Sequence, residues 1–184
     1  MTRFSNPFTR YVTDRLVLRR PVEADLDVVH EIHADPTTNR YNPAGPDRDL
    51  STSRRWLQGW LEHWERNGFG YWTVESRADG EVLGFTGIRY DSWLGQPVLN
   101  LYYRLSPAVW GRGIATEGAR CAVSLAGEHL PGLPVLARTT QENIPSQRTA
   151  MAAGLTRRPD LDRDDGAAYA AILVTFWPTD APHG

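Results

Sequence analysis

The chain predicts an α+β fold rather than a doubly wound one. Three observations carry that prediction. Strand-like segments follow one another directly at residues 70–76, 82–90 and 97–105. Asp79-Gly80, a dipeptide that closes hairpins, lies between the first two. Helical segments are interspersed between groups of strands instead of alternating regularly with them.

Taken in order, residues 15–20 (RLVLRR) read as a strand in which Leu16 and Leu18 alternate, and Pro21 ends it. Val22, Leu26, Val29 and His33 then recur at helical spacing. Residues 35–49, rich in Pro, Gly, Asn and Asp, read as a long loop. Residues 51–67 form an amphipathic helix with a stripe of Leu57, Leu61 and Trp64, broadened by Trp56, Trp60 and His63. Gly68 stops it. So wide an apolar face suits core packing, a substrate groove or a subunit contact. After the three strands comes a helix over about 113–130, with Ile114, Gly118, Cys121 and Leu125 on one face. A buried strand follows at 134–139, then a short helix at 143–153 stopped by Gly154. The acidic segment 160–165 reads as a solvated hairpin loop before a last strand at 169–177.

Composition narrows the class. At 184 residues, without repeat or linker, residues 1–184 read as a single domain with its core at about 13–177. Twenty basic residues, all arginine, against 22 acidic ones predict neither a nucleic-acid nor an anionic-membrane surface. The opening MTRFSNPFTRY has no apolar leader segment, and no run approaches the roughly 20 apolar residues of a membrane span. One cysteine, Cys121, fits a reducing cytoplasm and a place in the core. The five histidines follow no metal-ligand spacing, so no metal is expected.

Residues 110–117 (WGRGIATE) are the most informative. A strand, a glycine turn and a helix start make an anion site, because the first helical N–H groups have no internal partner and the dipole favours negative charge. Gly111 and Gly113 let the backbone approach closely, and Arg112 offers a guanidinium fork. A tight turn with a surface arginine is the alternative. A P-loop or Rossmann nucleotide enzyme is disfavoured, since neither G-K-[ST] nor an early G-x-G-x-x-G is present.

With that order of elements, the chain resembles the GNAT acetyltransferases, within them the RimJ/RimL-like branch. The phosphate-loop pattern R/Q-x-x-G-x-G/A falls on Trp110, Gly111, Arg112, Gly113, Ile114 and Ala115. Trp110 departs from it at the first position, in the way usual for the branch, and PAVWGRGIATE (107–117) matches the branch's run throughout. NIPS (143–146) followed by Gly154-Leu155 resembles the branch's N-x-x-S…G-F, and DRLVLRRP (14–21) its opening. The resemblance spans about residues 13–177.

The resemblance implies a central, mostly antiparallel mixed sheet with a splayed central strand and about four flanking helices. It also implies acetyl-CoA as donor and a primary amine, a peptide N-terminus or a small molecule, as acceptor. The pyrophosphate is expected on the N–H groups of residues 111–116, including Thr116, with Arg112 nearby. The pantetheine arm is expected beside Tyr103, Arg104 and Leu105, with a backbone N–H near Leu105 facing the acetyl oxygen. Asn143 suits both a helix cap and a cofactor contact. Ser146 is the candidate proton donor to the leaving thiolate, against a solvated first-turn serine. Tyr102 and Tyr103 read as packing residues.

Relatives commonly carry Glu where this chain has Asn100, which cannot take a proton. A water relay to Asp91 or Glu75, a non-catalytic acyl-CoA-binding module, or an acceptor of low pKa are the alternatives. A lysine amine costs about 4.6 kcal/mol to deprotonate at pH 7, an α-amino group about 1. Trp56, Trp60 and Trp93, with Asp91, are the candidate acceptor walls. A homodimer is expected from the resemblance and the tryptophan surplus.

Overall fold

A computed structural model describes residues 6–164 and 169–178. The opening pentapeptide of the leader reading, the end of the acidic segment at Asp165, and His183 lie outside the described residues. The elements run β1 (Arg10–Val12), β2 (Leu16–Arg19), α1 (Leu26–Ala34), α2 (Leu50–Asn67), β3 (Tyr71–Ser76), β4 (Val82–Trp93), β5 (Gln96–Leu105), α3 (Ile114–His129), β6 (Val135–Thr140), α4 (Ile144–Ala152), β7 (Thr156–Arg157), β8 (Arg163–Asp164) and β9 (Tyr169–Val174). Among the described residues the strands form one sheet in the order β1-β2-β3-β4-β5-β6-β9-β7, with β8 also on β9. Only β5–β6 is parallel, so the sheet is mixed and mostly antiparallel as expected.

The two halves of the sheet meet at β5–β6, and they barely meet. Pairing there covers only Leu99↔Val135 and Asn100↔Leu136. β5 continues for five residues beyond Asn100, and β6 runs on to Thr140, without a ladder between them. This is the expected splay. α1 and α2 cover one face over Leu26, Val29, Leu57, Trp60, Tyr71 and Phe85. α3 covers the other over Leu99, Leu101, Leu105, Ala119, Ala122 and Leu125. α3 sits close because Gly118 has no side chain: a Cβ there would come within 2.8 Å of Thr86 Cγ2 on β4.

Several expectations change. β1 is a short exposed strand that the sequence reading lacks. β4 runs on to Trp93 and returns through Leu94-Gly95, both at positive φ (50° and 77°), in the manner of a two-residue hairpin. Residues 91–93 are therefore strand, not loop. Cys121 lies at the margin of the α3 face, whose centre is Ala119 and Ala122. The last strand ends at Val174.

The acidic segment is not simply a solvated loop. Asp162 is buried and accepts from both terminal nitrogens of Arg157, from Gln141 Nε2 and from the Ile172 amide.

Candidate active site

The splay gives β5 an unpaired edge. Backbone N–H groups alternate in direction along a strand. Ser106 N donates to Leu83 O on β4, whereas Leu99 N donates to Pro134 O on the β6 side. By that alternation the N–H groups of Leu101, Tyr103 and Leu105 face the gap. They open into a cleft of about 840 Å³ that runs between β5 and β6 to the start of α3.

The phosphate loop closes one end of the cleft. Gly111 and Gly113 both adopt left-handed backbone (φ 73° and 76°), and Gly113 caps α3. The first bond inside the helix runs from Glu117 N to Gly113 O, 3.0 Å, leaving the earlier N–H groups free of helical partners. Gly111, Gly113, Ile114, Ala115 and Thr116 all border the cleft. Arg112 instead borders a neighbouring groove, and its carbonyl is held by Arg15 Nη1 at 2.9 Å. Arg15 is in turn paired with Glu117 at 2.5 Å. Trp110 Nε1 donates to Leu105 O at 2.9 Å, tying the loop back to the end of β5.

α4 supplies the far wall. Asn143 accepts from Ser146 N at 3.2 Å and caps the helix, and both residues border the cleft. Tyr103 Oη donates to Ser146 O at 2.7 Å and lies 3.0 Å from Ser146 Oγ. With the phenol proton given to the carbonyl, the serine hydroxyl donates to Tyr103 Oη. Burial pushes the Tyr103 phenol up to about 12. Both tyrosines pack against core clusters, as the sequence suggests, and each also holds a polar partner.

On the opposite face of β5 stand Asn100, Tyr102 and Arg104, all bordering the cleft beneath residues 37–43. Asn100 Nδ2 donates to Tyr71 Oη at 2.6 Å. Tyr102 stacks on Tyr71 at 4.7 Å, and its hydroxyl lies 2.9 Å from Nε2 of the buried His33. Burial first, then the Arg104 charge, lower the His33 pKa to about 4, against the opposing pull of Asp47. His33 is therefore neutral at physiological pH, with Nε2 hydrogen-bonded to the Tyr102 hydroxyl. Arg104 Nη1 donates to Asn39 Oδ1 at 3.0 Å, and by the same alternation its backbone N–H faces β4 rather than the β6 gap.

The expected acceptor walls are not assembled. Trp60 is buried against Tyr71, Phe85 and Tyr102, and Trp93 is buried in a second core with its indole on Leu161 O. Trp56 is exposed and donates to Asp47 Oδ1 at 3.2 Å. The side chains of Trp60 and Trp93 complete apolar layers, and none of the three borders the cleft. The relay ends fare no better. Asp91 accepts from Ser92 N, and Glu75 is paired with Arg19 at 2.6 Å; neither borders the cleft. Among the described residues, no group of three or more His, Cys, Asp or Glu is placed to hold a metal ion. None of the described helices is long and apolar enough to cross a membrane.

The model of the Acetyltransferase (GNAT) domain family matches residues 15–156. The chain belongs to the GNAT acetyltransferases. This GNAT chain is 30% identical to YkkB of Bacillus subtilis (strain 168) over 123 residues, 64% of the chain and 68% of that protein. Its fold matches the acetyltransferase from Agrobacterium tumefaciens str. C58 with a TM-score of 0.78 at 24% identity, over 91% of this chain and 94% of that one. It also matches spermidine N-acetyltransferase from Vibrio cholerae, in complex with CoA and spermine, with a TM-score of 0.68 at 15% identity, over 88% and 94%. RimL, the ribosomal L7/L12 alpha-N-protein acetyltransferase, in complex with CoA, matches with a TM-score of 0.67 at 15% identity, over 89% and 95%.

Proposed function

We propose that this GNAT chain moves an acetyl group from acetyl-CoA to a primary amine, a peptide N-terminus or a small molecule, by direct attack with donor and acceptor bound together. The observation that carries the reading is the unpaired β5 edge opening into the same cleft as the α3 N-terminus and the Ser146–Tyr103 pair. In this reading the free N–H groups of α3 take the pyrophosphate, and the N–H groups of Leu101 and Tyr103 receive the pantetheine amides as a missing strand would. The N–H of Leu105 faces the acetyl oxygen, where negative charge develops.

The amine nitrogen forms a bond to the acetyl carbon and the carbon–sulfur bond breaks. The departing thiolate takes a proton from Ser146 Oγ, which Tyr103 Oη adjoins at 3.0 Å. Ser146 Oγ is reprotonated from solvent and the amine releases one proton to solvent, giving amide and free thiol. No carboxylate among the described residues borders the cleft to take that proton. The reading therefore favours an amine that is already partly neutral, such as an α-amino group, over lysine. Comparing rates on an N-terminal peptide and a lysine peptide tests this; a clear lysine preference refutes it.

Residues 1–184 act as one catalytic domain in this reading. The lone half-buried Cys121 supports a cytoplasmic site, and exposed Trp56 on α2 supports a homodimer. A second reading, a non-catalytic acyl-CoA-binding module, is favoured by Asn100, whose amide is committed to Tyr71. Thiol release from acetyl-CoA across N-terminal peptides, lysine peptides, polyamines and aminoglycosides, with CoA binding titrated alongside, separates the two. Turnover on any member supports the transferase. CoA binding without turnover supports the module.

A further inference from the structure

The charged groups that border the cleft among the described residues are Arg40, Arg104 and Arg138; no Asp or Glu joins them. Arg138 lies on the β6 side with its guanidinium over the Trp93 ring. Arg104 and Arg40 belong to the acceptor side, one on β5 and one on the loop above it.

Arg104 differs from Arg19 and Arg157, which are likewise half-buried. Arg19 is held by Asp25 and Glu75, and Arg157 by Asp162. Among the described residues Arg104 has an amide oxygen, Asn39 Oδ1, and no carboxylate within ion-pair distance. Asn39 is a rigid anchor: it is buried, its Nδ2 donates to His33 O and Asp35 O, and its Oδ1 also accepts from Asn42. One bond from five guanidinium donors leaves most of the fork unused. A half-buried cation of this kind gains most from a carboxylate, which guanidinium can grip through two bonds.

The neighbouring groups have the opposite character. Tyr102 Oη pairs with His33 Nε2, and its oxygen keeps a lone pair to accept a further bond. Asn100 gives its Nδ2 to Tyr71, so Oδ1 is left to accept. Amine N–H groups suit these two oxygens. Positions 102 and 104 share a face of β5, about 7 Å apart along the strand.

We propose that the acceptor is a primary amine carrying a carboxylate a few bonds away, its nitrogen at Tyr102 and Asn100 and its carboxylate on Arg104, with Arg40 at the mouth. This rests on the acetyltransferase reading above. Polycations such as spermidine are disfavoured at a wall without a carboxylate. A free amino acid and a peptide with an N-terminal aspartate both offer the required chemistry.

The test uses matched pairs with the full chain and acetyl-CoA: L-phenylalanine against 2-phenylethylamine, and Asp-Ala-Ala-amide against Asn-Ala-Ala-amide, with spermidine as the cationic arm. The expected result is a kcat/KM at least tenfold higher for the carboxylate-bearing member of one pair, carried by KM. Which pair responds identifies the source. Arg104→Gln brings that ratio toward one, and Arg104→Lys restores part of it; a ratio is immune to a general loss of activity. Equal rates within both pairs, a preference for spermidine, or a ratio unchanged in Arg104→Gln each overturns the proposal while leaving the transferase reading intact. If no amine turns over, calorimetric titration of the CoA complex with the same pairs decides. Selective binding of the carboxylate members supports the Arg104 site even as the transferase reading fails, and no selectivity overturns it.

Discussion

His33 makes the fold sensitive to mild acid. Its imidazole is buried, 2.9 Å from the Tyr102 hydroxyl, edge-on to Trp60, with Asp47 3.8 Å away and Arg104 opposing its charge. The folded pKa is about 4 against 6.5 for a free histidine. Above pH 6.5 both folded and unfolded chains leave His33 neutral, and its contribution to stability is complete. As pH falls below 6.5 the unfolded chain takes up a proton that the folded one refuses, and stability is lost until pH 4. The 2.5-unit gap amounts to about 3 kcal/mol in total, of which about 2 is gone by pH 5.

Urea unfolding of the native chain and of His33→Gln, followed by tryptophan fluorescence between pH 8 and pH 5, isolates this effect, because other titrations cancel in the difference. The variant should be less stable at pH 8 by about 1–3 kcal/mol, having lost the Tyr102 contact and the packing on Trp60. The gap should then close by about 2 kcal/mol at pH 5. A gap that stays constant with pH would refute a neutral, buried His33.

Three further outcomes follow from named contacts. Asp162→Ala leaves Arg157 and the Ile172 N–H without their partner, and should cost about 3–5 kcal/mol, lowering Tm by roughly 6–20 °C in calorimetry. Gly118→Val places a side chain where Thr86 Cγ2 is already 2.8 Å from a bare Cβ; lifting α3 off β4 should cost about 2 kcal/mol or more in denaturant unfolding. Ser146→Ala should lower kcat by about 10²-fold or more with CoA affinity nearly unchanged. Combined with Tyr103→Phe its effect should be clearly less than additive, since the two hydroxyls touch.

The sheet was legible because its signals are local. Leu16 and Leu18 alternate, Asp79-Gly80 turns the chain, Gly68 and Gly113 mark helix ends, and Asn143 caps α4 as its type and place predict. The phosphate loop was legible for the same reason: two glycines at a strand-to-helix junction leave little else for the backbone to do. What stayed hidden depends on partners distant in sequence. Nothing around residue 162 distinguishes Asp162 from its exposed acidic neighbours until Arg157 and Ile172 come together around it. The pairing of Tyr102 with His33 spans 69 residues, and that of Trp93 with Leu161 spans 68. The tryptophans misled for a different reason. A wide aromatic stripe signals burial, and burial here serves the apolar layers beneath the sheet, whereas the cleft above is walled by tyrosine, asparagine and arginine.

The two rungs that join β5 to β6 leave the sheet as two plates with an open seam along part of their border. One plate carries β1 to β5 with α1, α2 and α3; the other carries β6 to β9 with α4. Besides those rungs they share one hydrophobic core, in which Ala150, Ala153 and Leu173 join Leu99 and Ala122, and side contacts such as Arg120 Nε on Ala152 O and Trp93 Nε1 on Leu161 O. A ligand that lies along the open seam and bonds to both sides is thus a structural member as well as a reactant. Filling the seam raises the resistance of the whole domain to unfolding by the linkage of ligand to the folded state.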